Sequence, residues 1–292
     1  MSFKNALIIY NPNSGRPCDR ARRVADFQQL LAKRGIEADA RPTCGPNDAS
    51  RIVRQAAFEG YELIIVNGGD GTINEALQGL VGTNLPLAIW PGGTANVLAH
   101  ELGLPSKPEQ IANIIARGRL KRVTVGRAGD RYFLLMTGIG LDASIVSRVS
   151  NKLKRYAGKI AFWVTGLNHL FTWKPEVFTV DVDGQKFPAT FAAIGNSRSY
   201  GGGFKVTPLA RLDEEYLDVC IFSSRSKLDY IRYLLACAVG YQVKMKDVVY
   251  RKVKSVYVNS AHKPLVQVDG ELLGRLPIKV VAVPSAVSLV VP

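Results

Sequence analysis

The fold is decided by residues 63–75, which read LIIVNGGDGTINE. The first four residues form a short apolar run bounded by turn residues, which is typical of a buried parallel strand. Gly68, Gly69 and Gly71 follow, and they permit backbone conformations or close approaches that a side chain would block. The next residues predict a helix, and the free N–H groups at a helix start favour an anion. The stretch therefore predicts a strand, a phosphate-binding loop and a helix.

An acidic residue, Asp70, lies within this loop. A carboxylate beside a bound phosphate predicts a divalent cation between the two, because Mg²⁺ takes oxygen ligands from both. The alternative is a tight strand–helix turn that binds nothing.

Two further glycine-bearing loops follow apolar runs in the same way. Residues 91–96 read PGGTAN after the run 87–90, and residues 11–15 read NPNSG after the run 7–10. Ligands of open α/β sheets bind at the carboxyl edge of the strands, where all these loops are expected. Three such loops predict one shared binding site.

The first part of the chain alternates strand and helix patterns, which predicts an α/β domain with a parallel sheet. Predicted strands lie near 6–10, 36–41, 62–66 and 87–90, and predicted helices near 19–34, 47–59, 73–80, 95–102 and 108–116.

From Val123 onward short β-rich runs predominate, which predicts a second, mainly antiparallel β-sandwich or barrel. The runs are 121–127, 131–138, 177–183, 186–196, 217–222, 253–259, 264–268 and 276–283, with helices near 142–171 and 226–242.

Composition indicates a globular protein with an anionic partner. The net charge of +14 favours a phosphorylated ligand, an anionic membrane surface or nucleic acid, although a solvated basic surface is the alternative. The four cysteines include no Cys-x-x-Cys pair and predict reduced thiols. No apolar stretch reaches the length of a membrane span, and no signal-peptide pattern opens the chain. We therefore expect a cytoplasmic protein.

Together the motifs resemble the diacylglycerol kinase catalytic family, which includes bacterial soluble lipid kinases and the sphingosine kinases. The resemblance is closest to the bacterial soluble branch. It rests on the three loops and on later motifs in the same order, namely GNS at 195–197, YGGGF at 200–204, DEE at 213–215, LDV at 217–219 and VQVDGE at 266–271.

The resemblance implies a fold like that of the NAD kinases and lipid kinases. It also implies transfer of the γ-phosphoryl group of ATP, with Mg²⁺, to a lipid hydroxyl such as that of diacylglycerol or a related glycerolipid. Residues 1–124, completed by 285–292, are then the nucleotide-binding domain, and 125–284 the lipid acceptor domain. We expect a lipid substrate, contact with the anionic inner membrane face, no nucleic acid partner and a possible homo-oligomer.

The predicted nucleotide-binding residues supply backbone N–H groups, hydroxyls, amides and carboxylates around the phosphates. They are Asn11, Ser14, Gly68, Gly69, Asp70, Gly71, Thr72, Glu75, Gly93, Thr94 and Asn96.

The resemblance makes Asp269 the predicted general base, which accepts the proton of the attacking alcohol. It lies at the end of a predicted strand before Gly270, a position expected to leave its carboxylate free to face a cleft. Glu271 is predicted to orient this base or to assist metal binding. The alternative is an ordinary Asp-Gly hairpin turn.

A second metal position is predicted from the resemblance at Asp213, Glu214 and Asp218, alongside Asp70. The chain departs from the family pattern there, because the usual Asp-Gly is Glu214-Glu215. A solvated acidic turn is the alternative. A second departure is Val97, where many bacterial members carry an aspartate.

The segment 142–163 predicts a helix that combines an apolar face with a basic stripe. The stripe consists of Arg148, Lys152, Arg155 and Lys159, and it predicts docking on anionic lipid headgroups. The alternative is that the apolar face packs on the second domain and the stripe is solvated.

Other functions stay open at this point. An NAD-kinase-like enzyme would share the Gly-Gly-Asp-Gly loop, and a sphingoid-base kinase would also lack the aspartate at position 97. A regulator that binds nucleotide or lipid on the same fold, without catalysis, is the alternative that is not an enzyme.

Overall fold

The computed structural model describes residues 3–15, 19–148, 172–200 and 204–292. The chain forms two compact units. The first contains Met1–Val123 and Ser285–Pro292, and the second contains Thr124–Pro284.

The first unit is built on a parallel sheet with the strand order β2-β1-β3-β4 and a final strand beside β4. Every residue of β3 is buried, as expected for a central strand covered by helices on both faces. The end of β16 joins the sheet in parallel, with Leu289 opposite Leu87. The strands are β1 (Asn5–Tyr10), β2 (Glu37–Pro42), β3 (Leu63–Gly68), β4 (Leu87–Pro91) and β16 (Ile278–Val290).

Of the five helices described in this unit, all but the short α4 carry apolar residues at the spacing that buries one face. In α2 the buried side chains include Ala49, Ile52, Val53 and Ala56, three or four residues apart along one stripe. The helices are α1 (Arg20–Ala32), α2 (Asp48–Ala56), α3 (Asp70–Leu80), α4 (Val97–Glu101) and α5 (Pro108–Arg117).

The second unit contains an antiparallel sheet with the order β12-β11-β10-β7-β14-β15. Its strands are β7 (Met136–Gly140), β10 (Phe191–Gly195), β11 (Leu217–Phe222), β12 (Val248–Val253), β14 (Leu265–Val268) and β15 (Glu271–Arg275).

The remaining strands of this unit pack their apolar faces into the same core as that sheet, which makes a sandwich. They pair in the order β16-β13-β8-β9, and β5 pairs with both β6 and β16. They are β5 (Leu120–Ala128), β6 (Arg131–Phe133), β8 (Phe178–Val182), β9 (Gln185–Ala189) and β13 (Ser255–Asn259), with the first part of β16.

Two helices of this unit are described, α6 (Leu141–Arg148) and α7 (Lys227–Val239), and a 3₁₀ turn follows at Tyr241–Lys244. The rest of the predicted helix 142–171, including three members of its basic stripe, lies outside the described residues, as do the glycines at 201–203. Within the described ranges no helix is long and apolar enough to cross a membrane.

The sheet topologies confirm the predicted fold class, an α/β unit with parallel strands and a β-sandwich. Three predicted strands are divided in the structure, namely 131–138, 186–196 and 253–259; the first is divided between β6 and β7. The chain changes sheet at Thr190, between β9 and β10, and at Lys254, between β12 and β13. Thr190 is buried, and its hydroxyl bonds the carbonyls of Phe222 and Ser224. No glycine or proline marks either corner, so local sequence did not reveal them.

Candidate active site

The first loop follows β3 and leads directly into α3. Gly69 is the N-cap of this helix, and no side chain caps it. The first N–H groups of a helix lack partners inside the helix, and they lie at the positive end of its dipole. The start of α3 can therefore receive an anion through backbone groups alone.

Close approach accounts for the glycines of these loops. Gly69 has a φ of −88°, which any residue adopts. A Cβ on Gly93 would lie 2.5 Å from the Cα of Gly69, and one on Gly68 would lie 2.6 Å from the Cβ of Thr72. Glycine at position 93 lets two loops pack backbone to backbone, and glycine at position 68 leaves room for the Thr72 side chain in the first turn of α3.

Asp70 connects this loop to the start of α4. Its carboxylate accepts hydrogen bonds from the backbone N–H groups of Val97 and Leu98, both at 3.1 Å. The negative charge therefore lies at the N-terminus of α4, where the helix dipole stabilises it. The predicted metal ligand thus has a structural role in holding two loops together. Because it bonds backbone groups, the apolar side chain at position 97 does not disturb the contact.

The loop at 91–96 is shaped by its own asparagine. Asn96 adopts a φ of 47°, its Oδ1 accepts the Gly93 N–H at 2.9 Å, and its Nδ2 donates to the Gly93 carbonyl at 3.0 Å. Both polar atoms of the Asn96 side chain, which was predicted to contact the nucleotide, therefore bond Gly93 within the loop. Thr94 lies between the two residues and is exposed.

Asn11 and Thr72 meet in the first unit. The Nδ2 of Asn11 donates to the Oγ1 of Thr72 at 3.4 Å, and Asn11 also accepts the Asn13 N–H at 2.9 Å. Thr72 is buried, while Gly71 and Glu75 on α3 are half-buried.

Arg20, the first residue of α1, was not predicted from sequence. It is buried, and its guanidinium donates to the Oδ1 of Asn67 at 3.3 Å and to the carbonyls of Gly92 (3.4 Å) and Ser14. Ser14 Oγ also donates to the Gly92 carbonyl at 3.3 Å. One side chain thus connects two of the loops with the end of β3, where the third loop begins. The available signal was an arginine at a helix start, which the dipole disfavours unless acceptors surround it.

In the second unit Asp269 and Gly270 form the turn between β14 and β15. Their φ values of 47° and 84° match the two-residue hairpin turn that Asp-Gly favours. The Asp269 carboxylate accepts the backbone N–H groups of Leu134 (3.1 Å), Leu135 (3.1 Å) and Met136 (2.9 Å). The expectation of a free carboxylate is therefore wrong, because the chain from the end of β6 to the first residue of β7 directs three N–H donors at it.

A buried polar network lies behind this turn. The Nε2 of Gln267 donates to Asp142 at 2.6 Å, and the Oε1 of Gln267 accepts the Gly270 N–H at 2.7 Å. The Tyr200 hydroxyl donates to the other Asp142 oxygen. Burial raises the pKa of Asp142 to about 6, against the opposing effect of these two hydrogen bonds. Burial and the Asp142 charge also hold the pKa of Tyr200 well above 10.

Comparison with known proteins relates both units to lipid kinases. Residues 5–128 match the diacylglycerol kinase catalytic domain, and residues 136–291 match the YegS C-terminal NAD kinase beta sandwich-like domain. A diacylglycerol kinase of Staphylococcus carnosus (strain TM300) is 32% identical over 282 residues, covering 94% of this chain and 90% of the relative. The chain belongs to the diacylglycerol kinase catalytic family.

Further relatives of this kinase agree in sequence and fold. A diacylglycerol kinase of Bacillus subtilis (strain 168) is 30% identical over 280 residues, covering 94% of this chain and 92% of the relative. A crystal structure of a diacylglycerol kinase from Bacillus anthracis str. Sterne superposes with a TM-score of 0.81 at 26% identity, covering 100% of this chain and 98% of that chain. Family membership makes the protein a lipid kinase, with ATP as the implied phosphoryl donor.

The acidic residues predicted as a second metal position of this kinase have other partners. Asp213 pairs with Arg211 at 3.2 Å, Glu214 pairs with Lys252, and Asp218 accepts the Tyr250 hydroxyl at 2.6 Å. Burial raises the pKa of Asp218. Among the residues that the structure describes, no three histidine, cysteine or acidic side chains converge as metal ligands. The predicted set does not form a joint metal site.

Glu271 of this kinase lies one residue beyond the Asp269-Gly270 turn. Its carboxylate pairs with Arg131 at 3.0 Å, and half of its side chain is exposed. This ion pair joins β15 to β6, the strand that precedes the amide donors of Asp269.

Proposed function

We propose that this kinase transfers the γ-phosphoryl group of ATP to the hydroxyl of diacylglycerol or a closely related glycerolipid. The observation that carries the proposal is the cluster of three glycine-bearing loops at the uncapped start of α3. Phosphoryl transfer depends chiefly on positioning and charge stabilisation, and preorganised backbone donors supply both. The curated relatives named diacylglycerol kinase support the choice of acceptor.

In this proposal the first unit binds ATP. The first-turn N–H groups of α3 and the exposed hydroxyl of Thr94 would contact the phosphates. Gly68, Gly93 and Asn96 would act by shaping the loops, since their contacts remain within the loop cluster. The second unit would hold the lipid acceptor.

Mg²⁺ fits this proposal at Asp70. Mg²⁺ keeps several waters and is bound through one or two carboxylates plus substrate phosphates, so a cluster of three acids is not required. Asp70 would hold the ion from a carboxylate fixed by two backbone amides. The ion would neutralise charge on the transferred phosphoryl group.

Asp269 is the proposed general base for the acceptor hydroxyl. Its three amide contacts fix the direction of the carboxylate, and a general base has to lie within hydrogen-bond reach of the proton that it accepts. Glu271 would act indirectly, through the ion pair that joins β15 to β6.

The experiment is transfer of labelled phosphate from ATP to a panel of acceptors, read by chromatography. The panel contains diacylglycerol, monoacylglycerol, a sphingoid base, phosphatidylglycerol and NAD. We expect the highest kcat/KM with diacylglycerol. Preference for the sphingoid base or NAD would replace the proposed acceptor, and no transfer to any acceptor in the presence of bound ATP would indicate a regulator without catalysis.

A further inference from the structure

The helix α7 exposes a row of large apolar side chains. Leu228 is 77% exposed, Leu235 67% and Val239 73%, and Tyr241 in the following turn is 56% exposed. Large apolar side chains that are exposed singly are normal on protein surfaces, but a contiguous group on one element indicates an interaction site.

The spacing places these side chains on one face. At 3.6 residues per turn, Leu228, Leu235 and Val239 point within roughly 40° of one another and extend over about 16 Å of the helix. The opposite face is apolar as well, since Tyr230 and Cys237 are buried in the core. Arg232 also lies on this face, between Leu228 and Leu235, and it pairs with Asp229 and Asp247. The outer face of a surface helix is normally polar, whereas this one is mainly apolar and therefore favours a partner.

Basic residues surround the exposed row. The residues Arg225, Lys227, Lys244 and Lys246 are all exposed at the two ends of α7 and its turn. The nearby acids, Asp229 and Asp247, both pair with Arg232.

We propose that this face of α7, together with Tyr241, docks on an anionic phospholipid bilayer. A helix that lies in the plane of a membrane combines an apolar row, which enters the acyl boundary, with lysine and arginine at headgroup level. Because the charge around the row is basic, an anionic surface complements it. The proposal rests on the proposed function in one respect: an acceptor with two acyl chains resides in such a bilayer.

The test compares wild type with the triple variant Leu228→Ser, Leu235→Ser, Val239→Ser. All three side chains are exposed, so the fold should be retained. The matched control is Phe58→Ser, because Phe58 is 92% exposed in the first unit. Each protein is sedimented with vesicles of phosphatidylglycerol and phosphatidylcholine, and with vesicles of phosphatidylcholine alone.

We expect the triple variant to bind the anionic vesicles at least about tenfold more weakly than wild type, because three side chains leave the acyl boundary, while Phe58→Ser binds as wild type does. A second variant replaces Arg225, Lys227, Lys244 and Lys246 with Gln. It should lose binding to anionic vesicles and most of the salt dependence of that binding.

Equal sedimentation of the triple variant and wild type would overturn the proposal. It would also be overturned if size-exclusion chromatography shows a wild-type dimer that the triple variant dissociates, because the face would then cover a second copy. Activity on a short-chain diacylglycerol dispersed in water separates this proposal from the proposed function. If the protein binds vesicles but does not phosphorylate the short-chain diacylglycerol, the proposed acceptor is wrong and the docking proposal is retained.

Discussion

Single side chains hold the three glycine-bearing loops of the first unit together, mainly through contacts to backbone atoms. Arg20 donates to two loop carbonyls and to Asn67, and Asp70 accepts two amides from the start of α4. Contacts to backbone groups depend little on the identity of the neighbouring side chains. The contact of Asp70 with the start of α4 therefore does not depend on the side chain at position 97, which is Val97 here.

Replacing Arg20 with Met should loosen all three loops. The change leaves the buried Asn67 Oδ1 and two half-buried carbonyls without this donor, and the expected loss of unfolding free energy is about 2–3 kcal/mol. Weaker ATP binding should accompany it. Arg20→Lys should not rescue the loss, because one ammonium cannot reach acceptors on separate loops as the guanidinium fork does. Urea denaturation and calorimetric titration with ATP are the measurements, with exposed Arg22→Met as the control. Equal stability of the Arg20 and Arg22 variants would contradict the role of Arg20.

Replacing Asp269 with Asn should reduce turnover by about 10²–10⁴-fold through loss of the base. It should also cost about 1–3 kcal/mol, because an NH₂ group would face one of the three amide donors. ATP affinity should stay unchanged. Turnover is measured at a temperature where the variant is fully folded. Asp183→Asn is the matched control, since Asp183 and Gly184 form a similar turn, with φ values of 50° and 84°. Near wild-type turnover in the Asp269 variant would contradict the role of general base, and Asp269 would then be only a turn residue.

The buried Asp142 should make stability depend on pH. Its pKa is about 6 in the folded protein and 3.8 in an exposed chain. The folded state therefore holds this proton more tightly, and the stability associated with it is present at low pH and falls as pH rises from about 4 through 6. A two-unit shift corresponds to about 3 kcal/mol. Urea denaturation from pH 4.5 to 8 is expected to show this fall in wild type relative to Asp142→Asn. Parallel curves for the two proteins would contradict it.

At the scale of elements, the sequence indicated the strands and helices of the first unit well. These elements follow from the local spacing of apolar residues and from the glycines that end them, and both signals lie within a few residues of each element. The sheet corner at Thr190 was missed because buried partners distant in sequence hold its hydroxyl, and the corner at exposed Lys254 has no local sequence signal. The candidate active site also depends on partners that are distant in sequence. The Asp269 turn was predicted, whereas its amide donors lie more than 130 positions away.

The loop contact between Gly93 and Gly69 allows a paired test. Gly93→Ala places a methyl group 2.5 Å from a backbone atom that cannot yield, so it should lower both stability and ATP affinity, the latter by about tenfold or more. Gly69→Ala meets the Gly93 Cα only at 3.5 Å, an ordinary contact, and its φ suits alanine. It should therefore retain the fold. Calorimetric titration and thermal denaturation distinguish the variants, and an equal loss in both would contradict this packing account.

At the scale of the whole molecule, the last strand completes the first unit. Val287, Leu289 and Val290 are buried, and Val290 belongs to the core that contains Phe27 and Trp90. Each buried aliphatic side chain contributes about 1.5–3 kcal/mol, and the total stability of a domain is about 5–15 kcal/mol.

Deleting residues 285–292 should therefore unfold the first unit and abolish ATP binding. The second unit keeps its own sandwich core and should remain resistant to protease. Limited proteolysis followed by mass spectrometry identifies which unit survives. Deleting Pro292 alone is the control, because it retains the hydrogen bond from Val291 to Arg119. A truncated protein that binds ATP normally would contradict the role of the strand.

The same strand also orders events during synthesis. Residues 285–292 leave the ribosome after every residue of the second unit, although they belong to the core of the first. Domains tend to fold from the N-terminus as they emerge. In this chain the first unit cannot complete its sheet until the second unit has been translated, and until then the β4 edge is unpaired. An unpaired strand edge is a template for pairing with another chain, so the delay exposes β4 to aggregation.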